Sequence, residues 1–219
     1  MAQIEFTHEA AGPRAARRSA LGRGPRLLAS TALILYALAL ALGLGLRSAY
    51  WALKGDYPFG SKRVGPWTVW PRVGSRETDP YARAVIARTG DIPLGVGEGL
   101  LLTAATDEEG QPLEARCTYR IGMVTPQTRL WTLTLYDGDR PVATDLMRSG
   151  FTSAEVLRDV DGRAAIVLSR DVQPGNWLRM PETGRVSLAL RLYETAAAVG
   201  STAVDRSALP SIARLGCAP

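Results

Sequence analysis

Residues 186–193 read VSLALRLY, and their alternation decides the fold class. Val186, Leu188, Leu190 and Leu192 fall on one face and Ser187, Ala189, Arg191 and Tyr193 on the other. This is the period-two pattern of a strand with one side in a core and the other in water. Working outward, WTLTLY at 131–136 sets Trp131, Leu133 and Leu135 against Thr132, Thr134 and Tyr136, and CTYRIGM at 117–123 sets Cys117, Tyr119, Ile121 and Met123 against Thr118 and Arg120. Half-buried strands of this kind belong to antiparallel sheets. WTVW at 67–70 starts another strand, and AAIVL at 164–168 follows Asp161-Gly162, a hairpin signal. DEEG at 107–110 and DGD at 137–139 supply turns, so a mainly β domain follows, an antiparallel β-sandwich of jelly-roll type.

One helix is expected at the entry to this domain. Asp79 caps it, Pro80 takes the first helical position, and Gly90 supplies the left-handed stop. FTSAEVLR at 151–158 adds a short helical turn. Residues 47–66 mix Gly, Pro and charge and read as a linker, which leaves 67–219 as the β-domain.

Ahead of the linker, residues 27–46 (LLASTALILYALALALGLGL) carry no charge and nine leucines. At about 1.5 Å per helical residue the run reaches roughly 30 Å, one bilayer core, and the leucines favour insertion by about 3 to 5 kcal/mol. The preceding tail, 1–26, holds Arg14, Arg17, Arg18, Arg23 and Arg26 against Glu5 and Glu9. The positive-inside rule therefore keeps the N-terminus cytoplasmic and sends the β-domain to the periplasmic side of a bacterial inner membrane. A cleaved signal peptide with Ala-x-Ala at 37–39 or 39–41 is the competing reading. The apolar run outlasts the usual signal length and Arg47 spoils a later cleavage site, so an uncleaved anchor is expected. The lipid bilayer is then the first partner.

Composition restricts the chemistry. Beyond the apolar run, 21 basic face 19 acidic side chains, so the pI near 9.6 reflects the tail and predicts no nucleic-acid partner. The single histidine, His8, precedes the membrane run, which leaves the β-domain without a His-based triad or metal cage; neither metal nor cofactor is expected. Cys117 and Cys217 lie in an oxidising compartment on this reading, and a disulfide between them is expected to staple the C-terminal tail across the sandwich.

The strings GDIPLGVGEGLLLTAATDEEGQPL (90–113), CTYRI, TRLWTLTLYD, GNWLRMP (175–181) and LALRLYE together resemble the bacterial domain of unknown function 1214 family, in its short membrane-anchored form. The resemblance covers roughly residues 90–194. It implies a jelly-roll β-sandwich and carries no established activity, cofactor or catalytic residue. Arg179 stands where that family's loop commonly continues with proline.

Candidate site residues are few. Asn176, Trp177 and Arg179 in the GNWLRMP loop combine stacking and hydrogen bonding of the kind that holds a sugar or peptide, although core packing is the ordinary role of such a Trp. Arg191 and Tyr193, with Tyr136, share an outward strand face. Glu98, within the Gly-rich GVGEG at 95–99, and Asp91 just before it are less ordinary acids, because glycine there permits close approach of a ligand or of another backbone segment. The leading expectation is a non-catalytic binding module for an envelope protein or glycan. The alternative is a carboxylate-dependent hydrolase or lyase, which requires two acids to converge in one pocket.

Overall fold

The computed structural model describes residues 23–54, 57–90, 92–95, 97–123, 128–138, 140–142, 148–195 and 205–218. His8, Asp91 and Asp139 lie outside these residues, as does most of the basic tail. The chain forms two compact units, Met1–Trp51 and Ala52–Pro219.

The first unit is dominated by helix α1 (Arg23–Leu53), whose stretch Leu28–Leu53 is long and apolar enough to cross a membrane. The helix continues into the first part of the stretch read as linker, because no Gly or Pro occurs between Leu46 and Leu53 to stop it. Arg47 lies 5.9 Å from the Trp51 ring.

The second unit is mainly β. Strands β1 (Lys62–Val64), β2 (Trp67–Val69), β3 (Gly99–Ala104), β10 (Val186–Tyr193), β5 (Leu130–Asp137) and β6 (Arg140–Pro141) follow one another across a seven-stranded sheet, with β7 (Gly150–Thr152) also paired to β5. Strands β11 (Ser211–Cys217), β4 (Cys117–Met123), β8 (Ala164–Ser169) and β9 (Asn176–Arg179) form a four-stranded sheet in that order. Trp67, Leu102, Leu133 and Leu188 from the first sheet and Tyr119, Ile121, Ile166 and Leu178 from the second are buried in one continuous apolar cluster. That shared core makes the unit a two-layer sandwich. The strand order establishes two packed sheets and does not of itself trace a jelly-roll path.

Several local expectations are met. Asp79 accepts from the Tyr81 and Ala82 amides, Pro80 opens α2 (Pro80–Thr89), and Gly90 ends it at φ 70°. Others need correction. The sheets are not wholly antiparallel: β8 and β9 run parallel, with Ile166 opposite Asn176, after Pro174 and Gly175 (φ 81°) turn the chain back. Residues 151–158 are strand and turn, not helix, since Phe151 pairs into the sheet opposite Leu133. The Asp161-Gly162 turn closes on Asp159, yet it makes no hairpin, because β8 takes its partners from β4 and β9. The expected linker also contains strand β1 (Lys62–Val64), paired to β2.

The C-terminal strand is held three ways. Cys217 lies opposite Cys117 in the β11–β4 register, and the two form a disulfide. The staple therefore joins neighbours within one sheet instead of bridging the two sheets. The DEEG turn supplies the other two anchors. Asp107 is 1% exposed and takes the Arg214 Nε at 2.8 Å, while Glu108 pairs with Arg206 and accepts the Ile212 amide at 3.0 Å. Arg214 also donates to Pro112 O at 2.9 Å and stacks 5.5 Å from the Tyr119 ring.

Tyr119 itself is enclosed, and burial pushes its hydroxyl above the ordinary value near 10, against the Glu114 amide that donates to it at 2.9 Å. The unfolded phenol ionises first, so the stability contributed by the neutral form is intact below about pH 10 and falls as pH rises through the folded value. Urea midpoints measured from pH 8 upward should fall above about 10 and fall less in Tyr119→Phe; parallel profiles for the two proteins would dismiss Tyr119 as the cause.

Candidate functional site

The outer face of the four-stranded sheet is built by the same alternation that fills the core. Inward residues of β4 and β8 are apolar, Tyr119, Ile121, Ile166 and Leu168 among them, and the outward ones include Arg120, Gly122, Ala165 and Val167. The register aligns Ala213, Arg120, Val167 and Trp177 in one cross-strand row, and Ser211, Gly122 and Ala165 in the next. Small side chains leave the floor close to backbone height. A Cβ at Gly122 would lie 2.6 Å from Ser211 Oγ, which could turn aside to admit it.

Over this floor runs an open groove of about 1160 Å³, walled by the 157–163 loop on one side and by Arg206, Ser207 and Leu209 on the other. Beside it a second groove of about 430 Å³ is lined by Arg148, Phe151, Glu155, Trp177 and Arg179. Leu157, Gln173, Gly175 and Asn176 line both, so the two form adjoining halves of one strip.

Three sequence candidates meet here. GNWLR is not a loop but mostly β9, and each residue has a distinct role. Asn176 is buried; its Oδ1 accepts the Leu157 amide at 2.7 Å, and its Nδ2 donates to Leu157 O at 2.8 Å and Ala165 O at 3.0 Å. Its amide is thus committed to positioning the loop that walls both grooves. Trp177 is half-buried and outside the apolar core cluster, with Nε1 donating to Ser169 O at 3.0 Å, a bond that fixes the ring at the groove. Core packing, the ordinary role of such a Trp, is not its place. Arg179 is exposed and reaches Glu182 at 3.3 Å.

The remaining candidates lie elsewhere. Arg191 and Tyr193 are on the outward face of β10 in the other sheet, where Arg191 donates to Tyr136 Oη at 3.2 Å, as their shared face predicted. Glu98 folds back to accept the Gly95 amide at 3.2 Å, closing the turn before β3. Close approach at this turn is to backbone: a Cβ on Gly99 would lie 2.4 Å from Leu192 O.

Sequence reasoning missed the arginines. Arg120 was visible as the outward residue of its strand, but Arg148, Arg158 and Arg163 come from turns and reach the strip only through tertiary folding. Arg120 and Arg163 make no ion pair among the described residues, and Arg158 donates to the Gly162 and Ser153 carbonyls. The strip's carboxylates are tied locally. Asp159 accepts the Asp161 and Arg163 amides, and Glu155 accepts the Thr152 amide and lies 3.6 Å from Arg148. Asp159 lines the larger groove and Glu155 the smaller one. Among the described residues no group of three or more His, Cys, Asp or Glu is placed to hold a metal.

Residues 98–197 match the family described as a protein of unknown function (DUF1214). No curated protein matches the chain. Of solved structures, the VPA0106 protein from Vibrio parahaemolyticus superposes with a TM-score of 0.53 at 19% identity, covering 83% of this chain and 45% of its own. An uncharacterized protein from Burkholderia cenocepacia gives 0.39 at 19% identity over 66% of this chain and 45% of its own. The chain thus spans less than half the length of either protein, and the first likeness is one of fold.

Proposed function

From a chain whose residues 98–197 belong to the DUF1214 family, we propose a membrane-tethered, non-catalytic binding module. In this reading α1 is an uncleaved anchor with its basic end in the cytoplasm. The β-domain works on the periplasmic face of the inner membrane, where it takes an envelope protein or glycan into the strip beside β9. The apolar helix and the arginine-rich tail support the placement, and the Cys117–Cys217 bond suits an oxidising compartment. The observation that carries the binding role is Trp177, an aromatic ring left half-buried at a groove by a hydrogen bond to a buried strand. Aromatic anchors in concave sites dominate such interfaces. An acid pair for hydrolysis finds no support in the strip, whose carboxylates each serve their own loop.

Trp177→Ala should weaken binding by about 2 kcal/mol, roughly thirtyfold. The measurement is retention of envelope components from detergent extracts on the immobilised full chain, with Arg129→Ala on the other sheet as a control. Identical retained material for all three proteins would discard the strip as the binding surface. Externally added protease in spheroplasts should cut the β-domain; protection of residues 67–219 would reverse the orientation.

A further inference from the structure

We infer that the strip formed by the two adjoining grooves is a site for an anionic glycan, a sugar chain bearing carboxylate groups, with Arg120 and Arg163 of the larger groove pairing with its charges and Trp177 of the smaller one stacking on a sugar face. The inference rests on the strip being a binding surface and names its ligand class.

Charge is the first support. Arg120, Arg158, Arg163 and Arg206 line the larger groove against one carboxylate, Asp159. Arg206 is neutralised from outside by Glu108. Arg158 is oriented by two carbonyls, which hold the guanidinium without cancelling its charge. The guanidinium groups of Arg120 and Arg163 make no ion pair among the described residues. The chain beyond the apolar run is nearly balanced in charge, so this excess is local and complementary to an anion. Guanidinium groups also match carboxylates geometrically, with two parallel donors.

Shape is the second. Arg120 rises beside Gly122, Ala165 and Ser211, and Trp177 stands in its cross-strand row beyond Val167, two strands away, about 10 Å at ordinary strand spacing. An extended chain can lie flat on that floor and meet a charge at one point and an aromatic face at the next. Ser207, Ser211 and Gln173 offer hydroxyl and amide groups along the walls, suited to a polyhydroxylated ligand.

A bilayer surface is the other polyanion within reach of a tethered domain. The loop tips oppose it. Val160 and Val172 protrude, yet Asp161 and Asp171 stand exposed beside them, and the unpaired arginines lie in the trough between. An anionic headgroup plane would meet the acids first.

The test is calorimetric titration of the full chain in phosphatidylcholine nanodiscs with a hexauronate, with cellohexaose as the neutral probe and phosphatidylglycerol vesicles as competitor. The hexauronate should bind at least tenfold more tightly than cellohexaose and weaken as salt is raised. It should lose at least tenfold in Arg120→Gln/Arg163→Gln, a pair of exposed positions whose replacement leaves the core intact. Equal binding of the two hexamers, an unchanged double variant, absence of hexauronate binding, or displacement by the vesicles would each overturn the inference. Trp177-dependent binding of both hexamers alike would do so while leaving the strip as a binding surface. Loss of Trp177 dependence in the envelope retention assay would remove that surface itself.

Discussion

Reduction of the Cys117–Cys217 bond should destabilise the β-domain by about 3 to 5 kcal/mol, the range that chain entropy assigns to a loop of this length. The two cysteines are 100 positions apart, so the bond withdraws nearly half the chain from the freedom of the denatured state. The bond also sits at the end of β11, which among the described residues is an edge strand paired with β4. Equilibrium urea unfolding of the oxidised and reduced protein checks this. The reduced midpoint should be lower, and the slope steeper, because an uncrosslinked denatured chain exposes more surface. The variant for the same test is Cys117→Ala with Cys217→Ser; alanine is required at 117 because that side chain is 1% exposed in the apolar core. Coincident curves would show that the ion pairs hold β11 without covalent help.

The second large effect is expected at Arg214. Replacing it by Met keeps the aliphatic contact with Tyr119 but strands the Asp107 carboxylate, which is 1% exposed, without its cation. Removing one partner of a buried pair costs about 3 to 5 kcal/mol, and with Arg214 itself partly exposed the lower end, about 3 kcal/mol, is expected here. Arg214→Lys should recover part of the loss, since an ammonium can neutralise Asp107 but cannot also reach Pro112 O with a second donor in the same plane. Asp107→Asn combined with Arg214→Met should be less destabilised than Arg214→Met alone, and a double-mutant cycle in urea reads the coupling. Simple additivity of the two substitutions would mean that Asp107 serves only its hydrogen bond from the Gln111 amide.

These two predictions concern one segment, and they show which parts of the fold were readable from the chain. Strands β4, β5 and β10 were legible because each has one face in the core and one in water, so burial writes itself into the sequence with period two. Helix α2 was legible for a different reason. Asp79, Pro80 and Gly90 act through local backbone bonds that need no distant partner. The role of Asp107 was not legible. An acid in a DEEG turn reads as solvated, and only Arg214, 107 positions away, makes its burial tolerable. Strand β9 was hidden as well, since a parallel pairing with β8 needs the return loop at 170–175 and leaves no alternation long enough to detect.

The strip shows the same division. Asn176, Trp177 and Arg179 were recognisable as an unusual trio, and Arg120 as an outward charge. Their assembly with Arg148, Arg158 and Arg163 depends on two turns and on the Asn176 side chain that ties the 157 loop to β9.

Periodicity and local capping thus determined, from the chain alone, an apolar helix followed by a β-rich domain with two cysteines able to pair. Which strands became neighbours, which acids went inside and which arginines came to share one trough were settled only by tertiary structure. The reason is physical: alternation and caps are short-range consequences of backbone geometry, whereas ion pairing and groove walls join residues whose proximity no local signal encodes.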